Sequence, residues 1–100
     1  MLIDDLLIEL KDRLLITWED ESTNRNLTQI LKRGMKYFNE FGKEFSFDED
    51  SSERELLLER CRYVWNNALN DFEENFHSEL NRLTISVALE KLREETPNGS

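Results

Sequence analysis

Proline occurs once in this 100-residue sequence, glycine three times, and cysteine and histidine once each. So few breakers argue against a strand-and-turn architecture and for helices. The single cysteine, Cys61, excludes a disulfide within the chain and any cysteine-based metal site. The single histidine, His77, has no second histidine or cysteine to share a metal with, so a surface or helix-end role is expected. No apolar run approaches the roughly 20 residues that a membrane span needs. The first residues carry Asp4 and Asp5 where a secretory leader would be basic, which makes the cytoplasm the expected compartment. Basic residues are also scarce: 13 Lys and Arg stand against 22 Asp and Glu, for a net charge of −9. Neutralisation of nucleic-acid phosphates by the whole surface is therefore not expected. No phosphate loop, dinucleotide fingerprint or nucleophile elbow occurs. Twenty-two carboxylates make chance pairs certain, yet no pair stands where sequence marks an acid and a base, so a paired-carboxylate hydrolase ranks last. No catalytic residue, cofactor or metal ligand is expected.

What the sequence does contain is apolar periodicity. The composition is 38% hydrophobic and 35% charged, which fits helices with one wet face. The pattern is organised around residues 52–76, SERELLLERCRYVWNNALNDFEENF. Leu57, Cys61, Val64, Trp65, Ala68, Leu69, Phe72 and Phe76 fall at the three- and four-residue spacing of one helix face. Ser52 with Glu55 reads as a capping box, and no Gly or Pro interrupts the run. This is the expected spine, with Cys61 as a buried, inert thiol on its apolar face. Arg54, Arg60 and Arg62 are matched by Glu53, Glu55 and Glu59, a solvated face by default.

The other elements follow in order. Residues 2–14 form a first helix with the stripe Ile3, Leu6, Leu7, Leu10 and Leu14. Its acidic start and basic end (Lys11, Arg13) suit the helix dipole. Thr17, or alternatively Thr23, starts a second helix that runs to about Phe41. Its stripe is Leu27, Ile30, Leu31, Gly34, Phe38 and Phe41. Gly34 on that stripe predicts close approach of another helix, and Gly42 is placed to end the helix. Phe45 and Phe47 in the connection are expected to tuck onto the core, and Asp48, Glu49 and Asp50 to cap the next helix rather than bind calcium. A break is expected between Asn75 and Ser78, then a last helix from about Glu79 to Glu94. The expectation is an all-α fold: a small bundle of three to four helices with a long central third helix. It comprises one domain over residues 1–94 and a flexible tail over 95–100.

Several stretches together resemble the small head–tail connector proteins of tailed bacteriophages, also called adaptor or head-completion proteins. They are LKDRLLIT, WEDES, KYFNEFG, FSFDED and ELLLERCRYVWNNALNDFEENF, above all Glu59-Arg60-Cys61-Arg62-Tyr63 with Asn66, Asn67 and Phe72. The resemblance covers nearly the whole chain and is weaker from Leu83 onward. It implies a non-enzymatic helical subunit, present in the virion and in the host cytoplasm during assembly. Such a subunit forms a homo-oligomeric ring in the virion, a dodecamer, beneath the portal protein and extends the DNA channel, with a monomer as the alternative state of the free chain. A tail-side stopper or head-completion protein binds below, and no membrane is involved. Double-stranded DNA passes without specific binding, since an acidic lining repels phosphate. A closed ring needs two different faces of each subunit to meet. Trp18, Met35, Phe45, Phe47, Leu56, Leu58, Arg62 and Tyr63 lie off the main stripes and are the candidate interface residues. The competing expectation is an acidic regulatory or inhibitor protein that mimics DNA charge and binds a basic protein.

Overall fold

The computed structural model of the chain describes residues 2–42, 45, 47 and 51–95. These residues are all-α, with five helices: α1 (Leu2–Arg13), α2 (Glu21–Asn39), α3 (Ser52–Trp65), α4 (Leu69–Asn75) and α5 (His77–Glu95). The Cα trace spans 56 × 31 × 18 Å. The thin dimension is about two helix layers at the usual 8–10 Å separation. The expected capping run at 48–50 and the tail beyond Glu95 lie outside the described residues.

The stripes of the first two helices are buried as their spacing requires. Leu6 and Leu10 of α1, and Leu27, Leu31 and Phe38 of α2, are fully buried. They meet Leu57, Leu58 and Cys61 of α3 in a single core. A Cβ built on Gly34 would stand 2.6 Å from Leu57 Cδ1 and 3.7 Å from Cys61 Sγ. The glycine is therefore where α2 and α3 come closest. Gly42, with φ of +109°, ends the turn after α2 in a conformation that other residues rarely adopt.

Both helix starts differ from expectation by a few residues. The cap of α2 is Asp20, neither Thr17 nor Thr23: its Oδ2 accepts from the Thr23 backbone N–H at 3.0 Å and from the Thr23 hydroxyl at 2.7 Å. An acidic cap takes two donors at once, so Thr23 serves as a donor within the first turn. The cap of α3 is Ser51, whose Oγ accepts from Arg54 N at 3.1 Å, so Ser52 and Glu55 form no capping box. Of two serines in tandem, the first has the extended backbone that aims its oxygen at the free N–H groups.

The spine is also two helices where the sequence predicts one. After Trp65 the Asn67 N–H bonds Val64 O at 3.1 Å and the Ala68 N–H bonds Tyr63 O at 2.8 Å. Asn67 has φ of 57°. This pair of bonds around a left-handed residue is the Schellman stop, with asparagine in the place usually held by glycine. The third helix is consequently 14 residues, shorter than the 19 residues of α2 and of α5. Leu69, expected in the buried stripe, begins α4 with 37% of its surface exposed. Phe72 is fully buried and stacks on Phe76 at 5.1 Å between centroids, with Tyr63 edge-on at 5.8 Å. The expected break after Asn75 occurs at Phe76, and α5 then buries Leu80, Leu83 and Val87.

A second stop of the same type ends α1. Leu15 N–H bonds Asp12 O at 3.1 Å and Ile16 N–H bonds Lys11 O at 2.9 Å. Leu15 holds the left-handed position with φ of 60° and is 82% exposed. Left-handed backbone costs an ordinary residue about 1–2 kcal/mol, and asparagine less. Leu15→Asn is expected to raise stability by about 0.5–1 kcal/mol, read as a higher thermal midpoint. An unchanged or lower midpoint would show that Leu15 makes compensating contacts in the monomer.

Candidate interaction surfaces

The charged groups of α3 are not a solvated face. They bind α1. Arg13 clasps Glu55 through two bonds of 2.9 and 3.0 Å, and its Nη1 also donates to Glu59 at 2.9 Å. Arg54 donates to Glu9 at 2.6 and 3.0 Å and to the Phe47 carbonyl at 3.0 Å. Arg62 donates to Glu59 at 2.9 and 3.2 Å. Arg13 thus joins α1 to α3, and Arg54 also fixes the connection that precedes α3. The bonds from Arg62, with those from Arg13, hold the Glu59 carboxyl below the usual carboxylate range, against the opposing effect of its partial burial. The Glu55 bonds raise the Arg13 guanidinium further above neutrality.

That depression sets a pH dependence. A carboxyl whose folded pKa is lowered binds fewer protons folded than unfolded, so its contribution is complete above the unfolded value of about 4.3 and is lost as pH falls through the folded value. Stability is expected to decline below about pH 5, and Glu59→Gln to flatten that decline, in denaturant melts taken between roughly pH 3 and 7. An equally steep decline in the variant would remove Glu59 as a cause.

Lys11, with Nζ 2.7 Å from Glu19 Oε1 and 2.9 Å from Asn24 Oδ1, closes the turn between α1 and α2. Arg60 lies over the Tyr37 ring at 4.7 Å, and its buried Nε has no hydrogen-bond partner. Burial raises the Tyr37 hydroxyl pKa, with the Glu73 charge adding to it. Cys61 is fully buried, its Sγ 3.8 Å from the Ile30 carbonyl, and burial pushes its thiol up to about 12. His77 is exposed at the first position of α5, beside Asn81. Among the described residues, no group of three or more His, Cys, Asp or Glu side chains is placed to hold a metal ion. No described helix is long and apolar enough to cross a membrane.

The eight candidate interface residues separate into four sets. Leu56, Leu58 and Phe47 are 7%, 0% and 3% exposed, so they belong to the monomer core and not to a free surface. The physical reason is the central position of α3. A helix covered on several sides needs apolar residues outside one stripe, and three consecutive leucines supply them. Met35, Phe45 and Tyr63 are half-buried against the core, and Phe45 and Phe47 are tucked together with centroids 6.4 Å apart. Tyr63 also accepts a hydrogen bond from Asn75 at 3.0 Å. Arg62 is occupied by Glu59 and lies 5.0 Å from the Tyr63 ring centroid. Trp18 alone is broadly accessible, at 51%.

Among the described residues, exposed large apolar side chains fall into two groups, besides Ile8 at 62% on α1 and Leu69 at 37% on α4. The first is the corner between α1 and α2, where Leu15 and Trp18 project among Asp12, Glu19, Asp20 and Glu21, all exposed. The second is the outer face of α5. Ile85, Leu89 and Leu92 are 60%, 50% and 56% exposed. Their spacing places them on one stripe, roughly opposite the buried Leu80, Leu83 and Val87. The sequence shows apolar residues along α5 but not that they divide into a covered and an uncovered face. Leu15 carries no sequence signal for its left-handed role. A cleft of about 360 Å³ separates α3 from α5, with Leu56, Phe76 and Leu83 among its apolar lining and Glu53, Glu79 and Arg82 among its polar lining.

Compared with known proteins, the chain matches no family model, no curated protein and no solved structure.

Proposed function

We propose that this chain is a structural subunit of a head–tail connector, assembling as a ring under a portal and extending a DNA channel. The observation that carries the reading is the pair of unlike exposed apolar surfaces on one small helical protomer, the Leu15–Trp18 corner and the outer face of α5. A closed ring is built from heterologous contacts, which require two different surfaces on every subunit. The sequence resemblance points the same way, and the thin, elongated protomer suits lateral packing around a channel. The net charge of −9 fits passage of DNA without retention. The partners under this reading are the portal above, a stopper or head-completion protein below and identical copies at each side. The alternative, a DNA-charge mimic bound to a basic protein, leaves the exposed Leu15, Trp18, Ile85 and Leu89 without a role. Adding the purified protein to tail-less capsids should place a ring at the portal vertex, visible by electron microscopy. Capsids that stay bare at that vertex would refute the reading.

A further inference from the structure

We infer that the outer face of α5 docks on the Leu15–Trp18 corner of a second copy of this chain, head to tail. The inference rests on the reading of the chain as an assembling subunit, but its test needs no capsid.

The corner is acidic: Asp12 and Glu21 are exposed there, and neither is in an ion pair among the described residues. One edge of the α5 stripe is basic, although the helix also carries Glu79 and Glu90. Helical spacing places Arg82 and Arg93 along one edge of Ile85 and Leu89, and both arginines are exposed and outside every ion pair of the described residues. Pairing either surface with itself brings like charges together, which is costly. Pairing one with the other brings acid to base around an apolar centre.

Leu15 gives a second, independent reason. It combines a left-handed backbone with 82% exposure, so in the isolated chain its side chain offsets neither cost. A strained apolar residue held outward is what an anchor for another surface looks like. Trp18, at 51% exposure, stands three residues away and is of the type most enriched among such anchors. The contact is small, because α5 has 19 residues and is about 28 Å long at 1.5 Å per residue. Single pairs are therefore weak, and closure of many such contacts supplies the stability of an assembly.

Complementation tests this. One variant carries Leu15→Asn and Trp18→Ser, the other Ile85→Gln and Leu89→Gln. In sedimentation velocity at up to roughly 1 mM, where weak interfaces are populated, the parent chain should self-associate. Each variant alone should do so at least about 30-fold more weakly, as expected for loss of interface anchors. An equimolar mixture should form 1:1 heterodimers and nothing larger, since only one intact pair of surfaces remains. Circular dichroism should show both variants as helical as the parent. If the α5 variant folds poorly, charge reversal replaces it. Arg82→Glu with Arg93→Glu should abolish association, and mixing with Asp12→Lys, Glu21→Lys should restore it. A parent chain that stays monomeric, a symmetric dimer lost in only one variant, or variants that associate as the parent does would each overturn the proposal. Rings on capsids with no such complementation would refute this contact and leave the connector reading standing. Complementation with bare capsids would do the reverse.

Discussion

Leu57→Ala is expected to destabilise the fold by about 2–5 kcal/mol, measured by denaturant unfolding, as is usual for a fully buried leucine. Leu57 is 0% exposed and lies against Gly34 where α2 and α3 touch. Part of the cost is lost burial, and part is the cavity left between two helices that cannot close further. The sharper expectation concerns its coupling with Gly34. Alone, Gly34→Ala gains roughly 1 kcal/mol of helix propensity but drives its Cβ against Leu57 Cδ1, an overpacking that costs about 1–3 kcal/mol. With Leu57 already alanine, that atom is gone and the propensity gain remains. Gly34→Ala should therefore be neutral to harmful in the parent and stabilising by up to about 1 kcal/mol in the Leu57→Ala background, an interaction energy of roughly 1–3 kcal/mol. Additive effects would mean that Leu57 turns aside at no cost and that the glycine is not set by this contact.

Phe72→Ala should cost about 3–5 kcal/mol, in the range for a buried aromatic. The effect should also be uneven along the chain. Helix α4 has only seven residues, too few to be stable alone. Phe72 is its one fully buried side chain, and the stack with Tyr63 and Phe76 joins α3, α4 and the approach to α5. Without it, α4 has no fully buried side chain, and α5 is held only by its own buried Leu80, Leu83 and Val87. Amide exchange should speed up most over residues 69–83 and least over α1 and α2, which lie further along the chain from Phe72 in the shared core. Uniform acceleration over all five helices would show that the protein opens as one unit.

The first two helices were legible because each buries one stripe against one partner. Leu6 and Leu10, and Leu27, Leu31 and Phe38, are at the spacing that such packing demands. The third was half legible. Its cover on several sides buries Leu56 and Leu58 as well as Leu57, and a single-stripe reading assigns those two to a free surface. The break at Asn67 involves no glycine or proline, but asparagine tolerates the left-handed conformation, and Asn66-Asn67 is the sequence signal for it. Leu15 was beyond reach for the opposite reason, since leucine has no preference for that conformation. Of the surface residues, Trp18 could be found as an aromatic outside every stripe. The outer face of α5 needed the structure, because only knowing where α3 and α4 lie tells which of its two apolar stripes is already covered.

The lone thiol makes the molecule its own clock. Cys61 is inside the α2–α3 core with its pKa near 12, so at neutral pH almost none of it is thiolate and none is accessible. An alkylating reagent can reach it only while α2 and α3 are apart. The labelling rate therefore measures how often that seam opens, with no probe engineered in. Fraying of α4 and α5 that leaves the α2–α3 seam closed should give little labelling, whereas separation of α2 from α3 exposes the thiol. One residue thus distinguishes fraying of the α4–α5 half from rupture of the core, reading the open population where reclosing outpaces alkylation and the opening rate where it does not.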